Sequence, residues 1–386
     1  MSDPLPRGAR VLMAVSLALT VVCYVSSFGN AFLYDDVPLI ETNAYLRTTS
    51  GLWTMFTHAT MTSSPVWPHH YRPVLMLTFW LNYRLGGVAP LGYRVTNLVV
   101  HLVNGVLACA LLRRVIRRFV PPPTSDWASA FGASLFLLHP IQSIALNLVL
   151  KRNSSLCALF MMAALLLYAR SRDAQTRARR RLGYAAALLV GALAMLTKED
   201  AIALPLLVAL FALTTGAGRL RDALPFLVAP AVFIARIAPH ETILESQATA
   251  LGHLLAQPIA FARYARMLVQ PDTIAIAYDL EPKLQPFPWL RLVMLLALAV
   301  AVATLFVTRK RWPLAAFAVA WALFTLFPTS SIFPIFLTMD EVRCYLALLF
   351  VYGLVGVGVA RLTAWLRLRA GDLKTAPFLA LSPWIL

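Results

Sequence analysis

Long apolar stretches separated by short charged connections dominate the pattern along the chain. Stretches of about 18 or more nearly uncharged residues are long enough to cross a bilayer as helices. We predict ten membrane-spanning helices, at about residues 9–28, 94–116, 127–146, 153–170, 182–197, 200–215, 222–238, 288–308, 312–331 and 344–362. No small-residue cleavage site follows the first stretch, so we expect a retained helix and not a signal peptide. The pattern therefore predicts an all-α polytopic membrane protein with one domain over residues 1–386.

Two of the predicted connections are long, and each contains an apolar segment that does not look like a span. In the first external connection, residues 29–93, the apolar segment 73–81 is too short to cross a bilayer. In the second, residues 239–287, the segment 258–269 is interrupted by Arg263 and Arg266. We predict an interfacial helix in the first and an interfacial or re-entrant segment in the second. Residues 363–386 are expected to form a short cytoplasmic tail.

Composition and charge agree with a membrane protein. The chain is 60% hydrophobic and only 13% charged, which is about half the charged fraction of a soluble domain. Nearly all of the net charge of +17 falls on alternate connections. The positive-inside rule then places both termini in the cytoplasm, and we expect a bacterial inner membrane location. This distribution indicates a topology signal and excludes nucleic acid as the expected partner.

Asp35 and Asp36 follow the first predicted span and are adjacent in sequence. Neighbouring carboxylates at a membrane surface are costly, which favours a functional reason for keeping them. Repulsion between two carboxylates raises the pKa, and this helps one of them to accept a proton. We therefore predict that one acts as a general base, while the other binds a cation, fixes the loop or positions an acceptor.

The same predicted external face carries basic residues at the ends of helices. These cations are Arg72, Lys151, Arg152, Lys198 and Arg343. Snorkelling of long side chains to water and local pairing with acids explain individual positions. However, the positive-inside rule disfavours cations on this face, so their repeated occurrence indicates a bound anion. Phosphate is the expected ligand, because Arg and Lys neutralise it through charge-assisted hydrogen bonds.

Several matching segments occur in one order along most of the chain. They are Tyr34-Asp35-Asp36, Tyr71-Arg72-Pro73, Tyr93 with Asn97, His101 and Asn104, His139-Pro140 with Lys151-Arg152, Lys198-Glu199, Gln257 with Tyr264 and Tyr278-Asp279, and Pro328-Thr329-Ser330-Ser331 with Glu341, Arg343 and Tyr345. Together they resemble the GT-C glycosyltransferases, in the branch similar to bacterial protein O-mannosyltransferases and to tetratricopeptide-repeat O-mannosyltransferases. No 34-residue repeat follows the last predicted span.

The resemblance implies a multispanning enzyme that moves a sugar, with inversion, from a polyprenyl-phosphate donor to a hydroxyl of a protein, glycan or lipid acceptor. It implies Asp35 as the catalytic base, with Asp36 beside it, and the five cations above as phosphate ligands. Supporting contacts to sugar or acceptor are expected from Glu41, His101, His139, Glu199, Asp279, Glu341 and Tyr345. No metal or cofactor is expected, although some members of the superfamily use a divalent ion.

Two alternatives stay open at this point. His101 lies at helical spacing from Asn97 and Asn104, so these residues either form a buried network between helices or line the site. A different class of function, a flippase or exporter of a lipid-linked glycan, also needs polytopic helices and phosphate-binding cations. A carrier favours charges near the membrane midplane and inverted repeats, whereas the charges here cluster at one surface. The pattern therefore favours an enzyme.

Overall fold

The computed structural model describes residues 4–64, 70–216, 218–236, 250–272, 274–275, 288–330 and 339–369. In these ranges the chain is built from α-helices and short 3₁₀ or π turns, and no strand occurs. The helices are α1 Arg7–Val25, α2 Thr49–Thr57, α3 Pro73–Gly86, α4 Pro90–Ile116, α5 Thr124–Leu138, α6 Ser143–Asn147, α7 Arg152–Asp173, α8 Arg177–Met195, α9 Leu204–Thr215, α10 Val228–Arg236, α11 Ala250–Val269, α12 Pro288–Val307, α13 Pro313–Leu326, α14 Cys344–Ala347 and α15 Leu349–Arg369. The predicted all-α class is confirmed.

Four of the described segments are long and apolar enough to cross a membrane: Arg7–Gly29, Pro90–Ile116, Val149–Asp173 and Leu349–Leu366. A fifth results if Thr124–Leu138 and Pro140–Asn147, which are bent by 53° at their junction, count as one broken span. Shorter apolar helices occupy Leu292–Val307 and Pro313–Leu326. The chain is thus a multi-pass membrane protein, but the predicted count of ten spans is not confirmed.

The central bundle forms where α5 packs against α1, α4 and α15. Small residues allow close contact between these helices, as is typical of packing in lipid. A Cβ atom at Gly356 would lie 2.3 Å from the carbonyl oxygen of Ala128, and one at Gly105 would lie 2.4 Å from the Leu137 side chain. A side chain at Gly356 would push α15 away from α5, whereas one at Gly105 would displace the Leu137 side chain.

The described part of the first connection forms a second, smaller core at one end of the bundle. Buried apolar side chains from this connection meet the beginning of α4 and the turn before α7; they are Phe32, Leu39, Ile40, Leu46, Met55, Met61, Leu75, Met76, Phe79, Tyr93, Val149 and Leu150. Helix α3 is 14 residues long, too short to cross a bilayer, and the Val74 amide donates to the Leu196 carbonyl at 3.1 Å. The connection is therefore packed onto the helix ends that carry the predicted site.

Helix α11 corresponds to the predicted charged segment 258–269 and is longer than expected, since it begins at Ala250. It is absent from the spans identified by length and apolar composition among the described residues. Whether it lies at the interface or is re-entrant stays a prediction. Residues 239–249, 273 and 276–287 of the second connection, and residues 370–386 of the predicted tail, lie outside the described residues.

Candidate active site

Asp36 anchors the first connection to the bundle. Its side chain is 1% exposed and accepts hydrogen bonds from two backbone amides, that of Val149 at 3.0 Å and that of Leu150 at 2.7 Å. Burial raises the pKa of Asp36 above its usual value, although both amides act in the opposite direction. Because both carboxylate oxygens are already engaged, Asp36 acts as a clamp between the connection and the turn Val149–Lys151.

Asp35 has a different environment from its neighbour. It is half-buried, and its carboxylate makes no hydrogen bond to any residue within the described ranges. The pKa of Asp35 lies above its usual value, mainly because of burial. The negative charge of Asp340 also raises it, while the positive charges of Lys151 and Arg72 act in the opposite direction. A carboxylate with a raised pKa, whose oxygens accept no hydrogen bond from the described residues, has the properties of a general base.

The backbone before Asp35 adopts a conformation that L-residues disfavour. Tyr34 has φ +50°, in the left-handed region, which costs a non-glycine residue about 1–2 kcal/mol. The resulting turn is closed by the Asp36 amide donating to the Leu33 carbonyl at 3.0 Å. Arg94 supports this segment from α4, because its guanidinium donates to the carbonyls of Asn30 at 3.1 Å and Ala31 at 2.7 Å. The strained turn is thus held in place by these hydrogen bonds, and it fixes the position of the Asp35 backbone.

One ion pair near Asp35 joins the turn before α7 to the segment before α14. The Lys151 ammonium lies 2.5 Å from the Asp340 carboxylate. Burial acts to raise the pKa of Asp340, but Lys151, Arg343 and Lys198 together outweigh it and the net pKa falls. The Tyr264 hydroxyl of α11 donates to the Asp340 carbonyl at 3.0 Å and accepts from its amide at 3.1 Å. These contacts bring α11 against the same edge of the site.

A second pair of ions joins α3 to the segment between α8 and α9. Arg72 donates in bidentate fashion to Glu199, at 2.6 and 3.1 Å. Burial acts to raise the pKa of Glu199, but the positive charges of Arg72 and Lys198 lower it by more than burial raises it. The net pKa lies below the usual value, so the carboxyl is ionised. Lys198 lies 2.7 Å from Asp200 and donates to the Ser154 hydroxyl at 2.9 Å. Residues predicted to meet from distant positions are therefore neighbours here.

Arg152 does not fit the predicted role as a phosphate ligand. Its side chain is completely buried, and all three guanidinium nitrogens donate to protein acceptors: Asn97 Oδ1 at 2.6 Å, Asn82 Oδ1 at 2.8 Å, Thr78 Oγ1 at 2.9 Å and the Tyr93 carbonyl at 2.8 Å. The Phe79 ring covers the guanidinium at 4.7 Å. Arg152 thus joins α3, α4 and α7 to each other, and we assign it a structural role.

His101, Tyr345 and His139 also form contacts inside the bundle. His101 Nδ1 lies 2.7 Å from the Tyr345 hydroxyl, to which Asn104 donates at 2.9 Å, and all three side chains are buried. His139 Nδ1 accepts from the Ile141 amide at 3.2 Å. Of the two alternatives for His101, the buried network between helices fits the structure.

The remaining predicted residues are placed differently. Glu41 is exposed, and Asp279 lies outside the described residues. Glu341 is 1% exposed; its Oε1 accepts from the Ala275 amide at 3.1 Å, whereas its Oε2 has no partner within the described parts of the chain. Burial raises the pKa of Glu341 to about 7. Arg343 is buried in the same turn, Glu341–Arg343.

In the ranges that the structure covers, no three His, Cys, Asp or Glu side chains are grouped closely enough to hold a metal ion. The Asp35 site is instead a half-buried carboxylate bordered by the ion pairs Lys151–Asp340 and Arg72–Glu199. The fold and this group of residues together define a class: a helical multi-pass membrane protein with a cluster of charged side chains at one end of its bundle.

Comparison with known proteins supports the predicted resemblance. The chain is 30% identical over 217 residues to the protein O-mannosyl-transferase TMTC4 of Homo sapiens, which is 52% of this chain and 29% of that protein. It is 31% identical over 171 residues to the protein O-mannosyl-transferase F38B6.6 of Caenorhabditis elegans, covering 43% of this chain and 24% of that protein. Similarity to TMTC3 of Homo sapiens is 32% over 166 residues, 42% and 17% of the two chains.

The matched stretch thus spans less than a third of each of these relatives. No model of a protein family matches the chain, and no solved structure matches it. The resemblance to the O-mannosyltransferase-like branch of the GT-C superfamily, predicted from ordered motifs, is confirmed by the names of these relatives.

Proposed function

We propose that this protein is a glycosyltransferase that moves a hexosyl group, of mannosyl type, from a polyprenyl-phosphate donor to a hydroxyl of a protein acceptor. The observation that carries the proposal is the contrast between the two aspartates. Both carboxylate oxygens of Asp36 accept hydrogen bonds from backbone amides. Asp35 is half-buried and makes no side-chain hydrogen bond to the described residues, and the charges of Lys151 and Arg72 act on its carboxylate. The similarity to protein O-mannosyl-transferases supports the same activity.

In the proposed reaction Asp35 accepts the proton of the acceptor hydroxyl. The acceptor oxygen forms a bond to the anomeric carbon while the bond from that carbon to the phosphate oxygen breaks. The electron pair of the broken bond leaves with polyprenyl phosphate, and the configuration at the anomeric carbon inverts. General base catalysis contributes about 10²–10⁴-fold to such a step. The raised pKa of Asp35 suits it to receive the proton.

Negative charge develops on the departing phosphate, and the basic residues of the site stabilise it. We assign this role to Lys151, Arg72, Lys198 and Arg343, and no longer to Arg152. Lys151, Arg72 and Lys198 pair with carboxylates in the free protein. A lipid phosphate would take over part of these contacts, with the carboxylates holding the cations in place until it arrives.

The site is proposed to face the periplasm or exterior of a bacterial inner membrane, with both termini in the cytoplasm. The support is the concentration of basic residues in the alternate connections. A protein acceptor is proposed because the relatives are named as protein O-mannosyl-transferases.

The test is to incubate purified protein with a panel of radiolabelled polyprenyl-phosphate hexoses and acceptor peptides rich in Ser and Thr. We expect release of polyprenyl phosphate, label on the peptide, and inverted anomeric configuration by NMR. Retained configuration would contradict the direct displacement. If labelled lipid instead crosses proteoliposome bilayers uncleaved, the carrier interpretation replaces the enzyme.

A further inference from the structure

A group of buried polar atoms lies on α11 and at the end of α13, outside the residues used so far. His253 is completely buried and Gln257, one helical turn later on the same face, is 1% exposed. Both ring nitrogens of His253, Gln257 Oε1 and the buried Ser330 Oγ have no hydrogen-bond partner within the described residues. Buried polar groups are nearly always paired, so four unpaired atoms in one place need an explanation.

These atoms belong to one location. The backbone of Thr329, which precedes Ser330, faces the His253 ring and counteracts the effect of burial on its pKa. It does not meet the distance and angle of an ordinary hydrogen bond to either ring nitrogen. The Arg343 charge also reaches the ring. The group therefore lies between α11, the end of α13 and the turn that carries Arg343.

The hydrogen-bonding capacity of the group selects the kind of ligand. Gln257 Nε2 donates to the His253 carbonyl at 3.1 Å, which fixes the orientation of the amide and leaves Oε1 as an acceptor in need of a donor. Burial, and then Arg343, lower the pKa of His253, so its imidazole is neutral and offers one donor and one acceptor. An ionised phosphate only accepts hydrogen bonds and would not satisfy Gln257. Hydroxyl groups both donate and accept.

The same helix connects this group to the Asp35 site. Tyr264 of α11 holds both the amide and the carbonyl of Asp340, and the Asp340 carboxylate pairs with Lys151 beside Asp35. Arg343 stands three residues after Asp340 and acts on His253. If the phosphate of a ligand lay near Arg343, the group attached to that phosphate could reach His253 and Gln257 along α11.

We propose that His253, Gln257 and Ser330 form a subsite that binds hydroxyl groups of the hexosyl moiety on the lipid-linked donor. This inference rests on the proposed function and names the residues that recognise its sugar. The neutral imidazole and the amide oxygen take complementary places on a vicinal pair of hydroxyls, and the Ser330 hydroxyl adapts to either role.

The test compares binding of two lipids to purified full-length protein in detergent: a hexosyl polyprenyl phosphate and the same polyprenyl phosphate without sugar. Wild-type protein should bind the sugar-bearing lipid more tightly. In His253→Phe and Gln257→Leu this preference should fall by about fivefold, because each lost hydrogen bond contributes about 1 kcal/mol. Affinity for the sugar-free lipid should stay within twofold. His58→Phe, which replaces an exposed histidine, serves as the matched control and should keep the full preference.

Thermal unfolding of the same variants separates recognition from structure. Atoms without a partner among the described residues contribute no stabilising hydrogen bond, so His253→Phe and the milder Ser330→Ala should keep or raise the Tm. Gln257→Leu also loses the bond from Nε2 to the His253 carbonyl, so its Tm should fall slightly. A preference that survives in all three variants would overturn the subsite, and so would a large fall in the Tm of Ser330→Ala. The proposed function fails separately, if the wild type binds the donor but transfers no sugar from it.

Discussion

Aspartates lie near both ends of α4, but they differ in how completely their carboxylate oxygens are hydrogen-bonded. At its C-terminal end, Asp126 accepts from Arg113 Nε at 2.7 Å and from Arg117 Nε and Nη2 at 2.9 Å, so its oxygens are fully used. At its N-terminal end, Asp36 is used in the same complete way, but Asp35 beside it is not. Ion pairs with Arg113 and Arg117 engage both oxygens of Asp126, whereas the Asp35 carboxylate accepts no hydrogen bond from the described residues.

Other polar atoms extend the comparison. At the Asp126 end, Asp222 accepts from the Tyr168 hydroxyl at 3.0 Å and from the Arg219 amide at 2.8 Å. At the Asp35 end, Asp200 Oδ1 and Glu341 Oε2 are buried without a partner among the described residues. Unsatisfied buried polar atoms destabilise a free protein and concentrate where a ligand completes them. Ser125 Oγ beside Asp126 also lacks a partner among the described residues, so the difference between the two ends lies in the carboxylates. That difference supports the proposed placement of the site at the Asp35 end.

The largest expected effect is on catalysis. Asp35→Asn should reduce the transfer rate by about 10²–10⁴-fold, because the amide cannot accept the proton of the acceptor. The Tm should not fall, since Asp35 makes no side-chain hydrogen bond to the described residues. Initial rates with labelled donor and differential scanning fluorimetry check both statements. Transfer at the wild-type rate would remove Asp35 from the mechanism.

Asp36→Ala should act on stability first. Two buried amides, those of Val149 and Leu150, would lose their acceptor, at a cost of about 1–3 kcal/mol each. We expect the Tm to fall markedly and the remaining folded protein to lose activity as the first connection detaches. Proteolysis within residues 29–64 should become faster. A variant as stable as wild type would contradict the clamp.

Lys151→Met should move the pH dependence of transfer. Asp35 must be deprotonated to act as a base, so activity falls as the pH drops through its pKa, which already lies above the usual carboxyl value. Lys151 lowers that pKa. Its removal also takes away the ion-pair partner of Asp340, whose negative charge raises the pKa of Asp35. Both changes shift the acidic limb of the pH–rate profile to higher pH. A shift to lower pH would contradict this placement of Lys151.

Asp126→Asn should have the smallest effect on function. It weakens a buried arrangement with Arg113 and Arg117, so the Tm should fall. The KM for donor should stay within about twofold, because α4 has 27 residues and its far end lies roughly 40 Å away at 1.5 Å per residue. An effect on donor KM as large as that of Arg72→Ala would erase the distinction between the two ends.

The sequence pattern predicted those features of the fold and the site that follow from a single physical rule. Apolar stretches predicted the helical class. The cost of charge at a membrane surface singled out the pair Asp35-Asp36, and the positive-inside rule singled out cations such as Lys151 and Lys198. The choice of Asp35 within the pair came from the family resemblance. Arg152 could not be placed in the same way. Its role depends on Asn82 and Thr78 of α3, whose positions relative to α7 follow from packing and not from local sequence. The left-handed Tyr34 and the unpaired atoms of His253 have no counterpart in the pattern.

The central claim is that Asp35 acts on the chemical step and not on binding. A single-turnover assay tests it most directly, with enzyme in excess over labelled donor, saturating acceptor peptide, and donor binding measured in the same samples. Asp35→Asn should bind donor like wild type yet transfer at least 100-fold more slowly, while Asp173→Asn, which loses an exposed pair with Arg114, should match wild type in both. Normal single-turnover transfer by Asp35→Asn, or a loss explained entirely by weaker donor binding, would contradict the account.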